Sequence, residues 1–225
     1  MTDGEVAMSL REQLEAMSAG SAKRIPEEAL AVMHKAAEEL DGQGIGDNAL
    51  SVGDRFPEVE LQKSDGAVVT FSSLLGHGPV LVNFYRGGWC PYCNLELKAY
   101  QGELETIRSL GAELVAISPE TPDRAEATAA KNEISYPVLT DPQNRLAEAL
   151  GIVFTLPPEL EKLYEMFGNN LPDAHDEAGW RLPIPATYVV GEDGLIVYAH
   201  IARDYRTRAE PDEAIAALKT AGIVT

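Results

Sequence analysis

Two cysteines stand three residues apart in the run Trp89-Cys90-Pro91-Tyr92-Cys93, and the 225-residue chain has no others. A cysteine does its chemistry as a thiolate, and the amino end of a helix favours that form because unpaired N–H groups and the helix dipole stabilise negative charge. Cys90 and Cys93 follow such a transition. Pro79 to Tyr85 is an apolar run that reads as a buried strand, Arg86-Gly87-Gly88-Trp89 reads as a turn, and Pro91 suits a first helical turn. Side chains three apart on a helix are neighbours, with Cβ atoms about 5 to 6 Å apart, close to what a disulfide needs. The pair can therefore cycle between dithiol and disulfide with little backbone movement. Two blander readings were weighed. Inert core packing fits poorly with the two glycines and the proline, which suit an exposed, poised site. Half a zinc site would need further ligands, and His34, His77, His175 and His200 are scattered singly. No metal and no cofactor is expected.

The elements that must position the pair follow from periodicity. Residues 5–18 and 26–40 carry apolar residues at helical spacing, with Pro26 before two glutamates as a helix start. The stretch from Asp41 to Asn48 reads as a linker, giving an N-terminal helical arm and linker over residues 1–50 and a second unit over 51–225. In that unit short β-like runs alternate with helical ones, the pattern of a layered α/β domain. Val59–Gln62 and Val68–Phe71 are expected to form a hairpin, and Pro79–Tyr85, Ala112–Ser118 and Pro137–Thr140 to be strands. Helices are expected over Pro91–Leu110, Pro122–Asn132 and Gln143–Leu150. Ala186–Val190 and Leu195–Ile201 flank the turn sequence Gly191-Glu192-Asp193-Gly194, and Pro211–Ala221 closes the chain as a helix.

Thirty-six acidic residues against 18 Lys and Arg leave a formal charge of −18, which repels nucleic acid and anionic membranes. No apolar run approaches the roughly 20 residues that span a bilayer, and the N-terminus lacks a basic start followed by a long apolar stretch. The expectation is a cytoplasmic protein, where a lone cysteine pair is more often catalytic or metal-binding than structural.

The run Phe84 to Leu97, FYRGGWCPYCNLEL, set in this order of strands and helices, resembles the thioredoxin superfamily, and within it the peroxiredoxin-like branch of alkyl hydroperoxide reductases and thiol-specific antioxidant proteins. The resemblance covers residue 51 to the C-terminus. It implies a thioredoxin-like α/β fold, a central mixed sheet flanked by helices, with the N-terminal helices as an extension. Peroxiredoxins carry the motif F-Y-P-x-x-x-T-x-x-C-x-x-E. Phe84, Tyr85 and Glu96 match it, and Cys93 takes the place of the peroxide-reacting cysteine. Arg86 replaces the proline and Cys90 the threonine. The family's partner arginine lies just before an A-T-F strand, whereas Ala186-Thr187-Tyr188 is preceded by Pro185. Read as a thioredoxin, Trp89-Cys90-Pro91-Tyr92-Cys93 is similar to the W-C-x-x-C motif. Cys90 is then the exposed nucleophile, Cys93 resolves, and Ile184-Pro185 resembles the cis-proline that faces the disulfide.

The resemblance implies a thiol-dependent peroxidase acting on hydrogen peroxide or organic hydroperoxides through a Cys90-Cys93 cycle, reset by a thioredoxin- or glutathione-type reductant. The peroxiredoxin register favours Cys93 as the attacking residue. A thioredoxin-like protein disulfide oxidoreductase is the rival enzyme, and a non-catalytic redox-sensing domain the reading from another class. Arg86 is placed to bind peroxide or lower a thiol pKa, Arg181 to supply the missing arginine from a displaced position, and Trp89 to shield the pair. Arg203, Arg206 and Arg208 read as a solvated face. Residues 154–180 are longer than the fold requires, and Leu160, Leu163, Tyr164 and Phe167 predict an extra amphipathic helix that roofs the site or joins subunits in a homodimer.

Overall fold

The computed structural model describes residues 8–221. The chain opens with α1 (Leu10–Ala22) and α2 (Glu27–Gly42). Next come β1 (Glu60–Gln62), β2 (Val68–Thr70), α3 (Phe71–Leu75), β3 (Val80–Phe84), α4 (Pro91–Gly102) and α5 (Leu104–Ser109). They are followed by β4 (Glu113–Ser118), α6 (Pro122–Asn132), β5 (Val138–Thr140) and α7 (Arg145–Ala149). The long middle segment supplies β6 (Val153–Thr155), α8 (Pro158–Met166), α9 (Leu171–His175) and β7 (Arg181–Pro183). The chain then closes through β8 (Ala186–Val190), β9 (Ile196–Ile201) and α10 (Pro211–Ala221).

Seven strands make one mixed sheet in the order β2-β1-β5-β4-β3-β8-β9, while β6 and β7 pair separately. β3 and β4 run parallel, as do β4 and β5; β8 lies antiparallel to both β3 and β9. Alternation along β3 feeds two cores. Val80, Val82 and Phe84 join Phe71 and Leu146 on one face, and Leu81 joins Leu97 and Leu218 on the other. All five β3 residues are buried, and full burial of each Val, Leu or Phe side chain is worth about 1.5 to 3 kcal/mol. The strand that delivers the cysteine turn is therefore firmly held at the centre of the sheet.

The two N-terminal helices are packed onto this unit. α1 starts with a capping box, Ser9 Oγ accepting from the Glu12 N–H and Glu12 accepting from the Ser9 N–H. Its Leu10 and Leu14 are buried in the same cluster as Leu97, Tyr100 and both cysteines. Ala36 of α2 is buried with Leu160, Leu163 and Tyr164 of α8. The predicted helix in the middle segment is thus the roof of a third, smaller core.

Several elements differ from the sequence expectation. The first expected helix began at residue 5, and residues 5–7 lie outside the described ones; the observed helix runs on to Ala22. The single helix expected over Pro91–Leu110 is broken at Gly102-Glu103, where Glu103 leaves helical geometry at φ −99° and ψ 3°. Phe71 does not extend β2 but begins α3. Finally, no peptide bond among the described residues is cis, so the expected cis Ile184-Pro185 bond is absent. The Ile184 N–H donates to Ile152 O at 2.6 Å, and Pro185 O accepts from the Ala202 N–H at 2.8 Å. These bonds carry the chain straight from β7 into β8, with the ordinary trans preference of about 0.5 to 1 kcal/mol unopposed.

Candidate active site

β3 ends at Phe84 and the Tyr85 N–H still donates to Ile117 O of β4, at 3.0 Å, so the turn leaves the sheet from a fixed point. Gly87 sits at φ +147°, where a side chain would strike the Trp89 indole. A methyl on Gly88 would drive into the Thr128 hydroxyl. Gly88 is gripped on both sides: its N–H donates to Glu120 Oε1 at 2.9 Å, and its carbonyl accepts from Asn94 Nδ2 at 3.0 Å and Lys131 Nζ at 3.2 Å. Glu120 also accepts from the Tyr85 and Thr128 hydroxyls, at 3.0 and 3.1 Å, and burial pushes its pKa up. The Cys90 N–H closes the turn onto Gly87 O at 3.0 Å, which sets Cys90 at the N-cap of α4 with Pro91 in the first turn.

Both cysteines are reduced and fully enclosed, so the exposed nucleophile expected from the thioredoxin reading is corrected. Much of the enclosure comes from residues that motif does not contain, since Arg86, Tyr164 and Tyr205 join Trp89 in closing over the turn. Arg86 Nη2 donates to Cys90 Sγ at 3.1 Å and Nη1 to the Tyr164 hydroxyl at 3.4 Å. Its guanidinium lies 4.5 Å from the Tyr205 ring and 5.0 Å from the Trp89 ring. Trp89 packs edge-on against Tyr164 at 5.3 Å and donates through Nε1 to His175 Nε2 at 3.4 Å. Burial lowers the pKa of His175 to about 4, so the imidazole accepts as a neutral ring.

Arg208 is the second cation of the site. The expectation of a solvated arginine is wrong there: its side chain is buried, ion-pairs with Glu96 through Nε, and donates from Nη2 to Cys93 Sγ at 3.2 Å. Nη1 donates to Tyr205 O at 2.7 Å. Buried thiolates and carboxylates in so acidic a chain require buried cations, and that requirement is the one sequence signal that could have singled Arg208 out. Its neighbours in the cluster do lie outward, Arg203 pairing with Asp47 and Arg206 with Asp204. Arg181 stands apart from the thiols. It pairs with Glu148 at 3.0 Å and its carbonyl accepts from Asn144, because its position on β7 points it at the α7 side of the molecule. Pro185 shares an apolar cleft with Arg86, Tyr164 and Tyr205, and neither thiol lines that cleft.

The two thiols are driven apart electrically. Burial pushes Cys90 up, but a hydrogen bond from Cys93 and the charges of Arg86 and Arg208 outweigh it and hold Cys90 well below the ordinary thiol range. Burial and the neighbouring Cys90 charge push Cys93 well above it. Burial, outweighing Arg208, also pushes Glu96 up to about 7. The arrangement is one thiolate beside one protonated thiol, between two guanidiniums.

A thioredoxin-type mixed sheet that delivers an ionised and a protonated thiol to the start of one helix defines a peroxiredoxin-like thiol enzyme. The chain belongs to the AhpC/TSA family, whose model matches residues 52–199. A putative peroxiredoxin of Mycobacterium tuberculosis is 28% identical over 150 residues, covering 67% of this chain and 84% of the relative. Peroxiredoxin Bcp of Escherichia coli is 26% identical over 105 residues, 47% of this chain and 67% of its own length. Among solved structures, peroxidoxin BcpB from Mycobacterium tuberculosis aligns with a TM-score of 0.60 at 22% identity, covering 76% of this chain and 97% of that one. The likeness in structure shows the thioredoxin-like α/β fold expected from the sequence.

Proposed function

We propose that this peroxiredoxin-like thiol peroxidase reduces hydrogen peroxide or an organic hydroperoxide with Cys90 as the attacking thiolate and Cys93 as the resolving thiol. The observation that carries the reading is the Arg86 guanidinium on Cys90 Sγ. It stabilises the thiolate, and its buried Nε–H has no partner among the described residues, so one fixed donor is left for a peroxide oxygen. The Cys90 thiolate attacks the O–O bond; a sulfur–oxygen bond forms, and the departing oxygen takes a proton and leaves as water or alcohol. Cys93 then attacks the Cys90 sulfenic acid, the S–S bond forms, and the sulfenic hydroxyl leaves as water with the Cys93 proton. Two electrons have passed from the thiols to the peroxide, and a thiol reductant returns them.

A second reading has its own observation. Arg208 and Glu96 surround Cys93, the position that takes the peroxide-reacting place in the peroxiredoxin register. One experiment separates the two. Each single variant, Cys90→Ser and Cys93→Ser, is exposed briefly to peroxide, and sulfenic acid is scored by mass spectrometry. Cys93→Ser is expected to form one sulfenic acid on Cys90 at close to the full rate, and Cys90→Ser to react about 100-fold slower or less, as a protonated thiol would. Fast oxidation of Cys93 in Cys90→Ser selects the second reading; no oxidation of either variant or of the native chain overturns both.

A further inference from the structure

A disulfide between Cys90 and Cys93 must be reached by a reductant, and the route is narrow. Beside the turn lies a cleft whose near wall is Trp89, Pro91 and Tyr92 and whose far wall is the helical arm, through Ile25, Leu30 and His34. The arm is fastened along α2, through Ala36 against α8, and at the start of α1. Leu10 and Leu14 are buried against α4, and the first N–H groups of α1, those of Leu10 and Arg11, donate to the Glu210 carboxylate at 3.2 and 2.7 Å. Cys90 is buried behind Trp89 and Pro91 and does not itself line the cleft, so the space between the arm and the turn suits a small reductant better than a broad protein surface. The charge of the cleft is the second observation. In a chain of formal charge −18, its lining includes Arg86 and Arg206 and, among the described residues, no carboxylate. Arg206 is partly offset by Asp204, which lies outside the lining and accepts from its Nε and Nη2, so the charge the cleft gains on oxidation is that of Arg86.

We infer that this cleft admits a small anionic thiol, a carboxylate-bearing peptide thiol of the glutathione type, as the reductant of the Cys90-Cys93 disulfide. The inference rests on the proposed cycle and names its reductant. Oxidation itself prepares the cleft: when the disulfide forms, the Cys90 thiolate disappears and Arg86 loses its counter-charge. The cleft therefore attracts an anion most in the state that needs reducing. The entering thiolate attacks Cys90, its sulfur joins Cys90 in a mixed disulfide, and Cys93 departs as a thiolate beside the Arg208 donor. A second reductant thiolate attacks the sulfur of the first, releasing the Cys90 thiolate. Protein disulfide and two thiols thus become protein dithiol and one small-molecule disulfide.

The test starts from full-length protein oxidised to the disulfide with diamide, so that it does not depend on peroxide turnover. Reduction is followed by tryptophan fluorescence with glutathione, neutral mercaptoethanol or thioredoxin, each at matched thiolate concentration. Glutathione is expected to be at least about tenfold faster than thioredoxin, and the glutathione-to-mercaptoethanol ratio to fall about tenfold in Arg206→Glu and to be kept in Arg206→Lys. S-methylglutathione, which cannot react, is expected to bind the disulfide form about tenfold more tightly than the dithiol form. Faster reduction by thioredoxin, an unchanged ratio in Arg206→Glu, or equal binding to both forms overturns the inference. Failure to consume peroxide overturns the proposed function instead and leaves these measurements to decide the cleft.

Discussion

The Arg86 guanidinium touches Cys90 Sγ at 3.1 Å from within a cage of Trp89, Tyr164 and Tyr205, and burial of both groups strengthens the contact. Replacing it with methionine keeps the volume and removes the charge. Arg86→Met is expected to raise the Cys90 pKa, with a loss of thiolate on the acid side. The native rate with peroxide should begin to decline only at a pH below the ordinary thiol range, because the Cys90 thiol is held below it. The variant's decline should begin at higher pH. Thiolate absorbance and single-turnover rates across pH check both; a slower variant with an unmoved titration would leave Arg86 without its electrostatic role. The residue-level reading of the sequence had Cys90, Cys93, Arg86 and Trp89 side by side because they sit in one short run. Arg208 escaped it because its contact with Cys93 spans 115 residues, and Glu120 because nothing local distinguishes a loop glutamate that will be buried.

At the scale of elements, the turn between β3 and α4 depends on α6. Thr128 fills the space where a Gly88 side chain would go, and Glu120, just before α6, holds the Gly88 N–H. Gly88→Ala is expected to cost about 1 to 3 kcal/mol through overpacking, and Thr128→Ala in the same chain to restore part of that loss. Urea midpoints of the two single variants and the double variant measure the coupling, and strict additivity would mean the residues do not meet. Strands such as β3 and β4 were legible because continuous apolar runs report burial on both faces, and α6 and α10 because proline marks their starts. The short β6 and β7 were not. Three residues carry no period, and these strands exist only through pairing with each other, Val153–Thr155 against Arg181–Pro183. The break between α4 and α5 went unread for a related reason, since Gly102 interrupts a pattern that continues in phase beyond it.

The whole molecule stores unfavourable ionisation at its centre. Glu96 is pushed from 4.5 to about 7, and burial raises Glu120 and Asp141 as well. A carboxyl group whose folded pKa lies above its unfolded value favours the fold while protonated. That contribution is complete below about pH 4.5 and is lost as pH rises through about 7; for Glu96 it is worth about 3 kcal/mol. Self-repulsion in a chain of charge −18 acts in the same sense. The Cys90 thiolate and the neutral His175, both with folded pKa values below their ordinary ones, act in the opposite sense and favour the fold as pH rises. The Glu96 share is therefore isolated by comparison: between pH 5.5 and pH 8 the urea midpoint of the dithiol form is expected to gain more, or lose less, in Glu96→Gln than in the native chain, and an equal change in the two would show that the ion pair with Arg208 offsets burial. The position of Arg208 has one more consequence, in the order of folding. Its link to Cys93 closes a loop of 115 residues, and the nearby link between Glu210 and Leu10 spans 200. Contacts so distant in sequence form late, after the local helices and neighbouring strands. For most of its assembly the emerging chain has only the Arg86 cation near its thiols, and the second guanidinium, the one on Cys93, joins the pair when the last segment arrives.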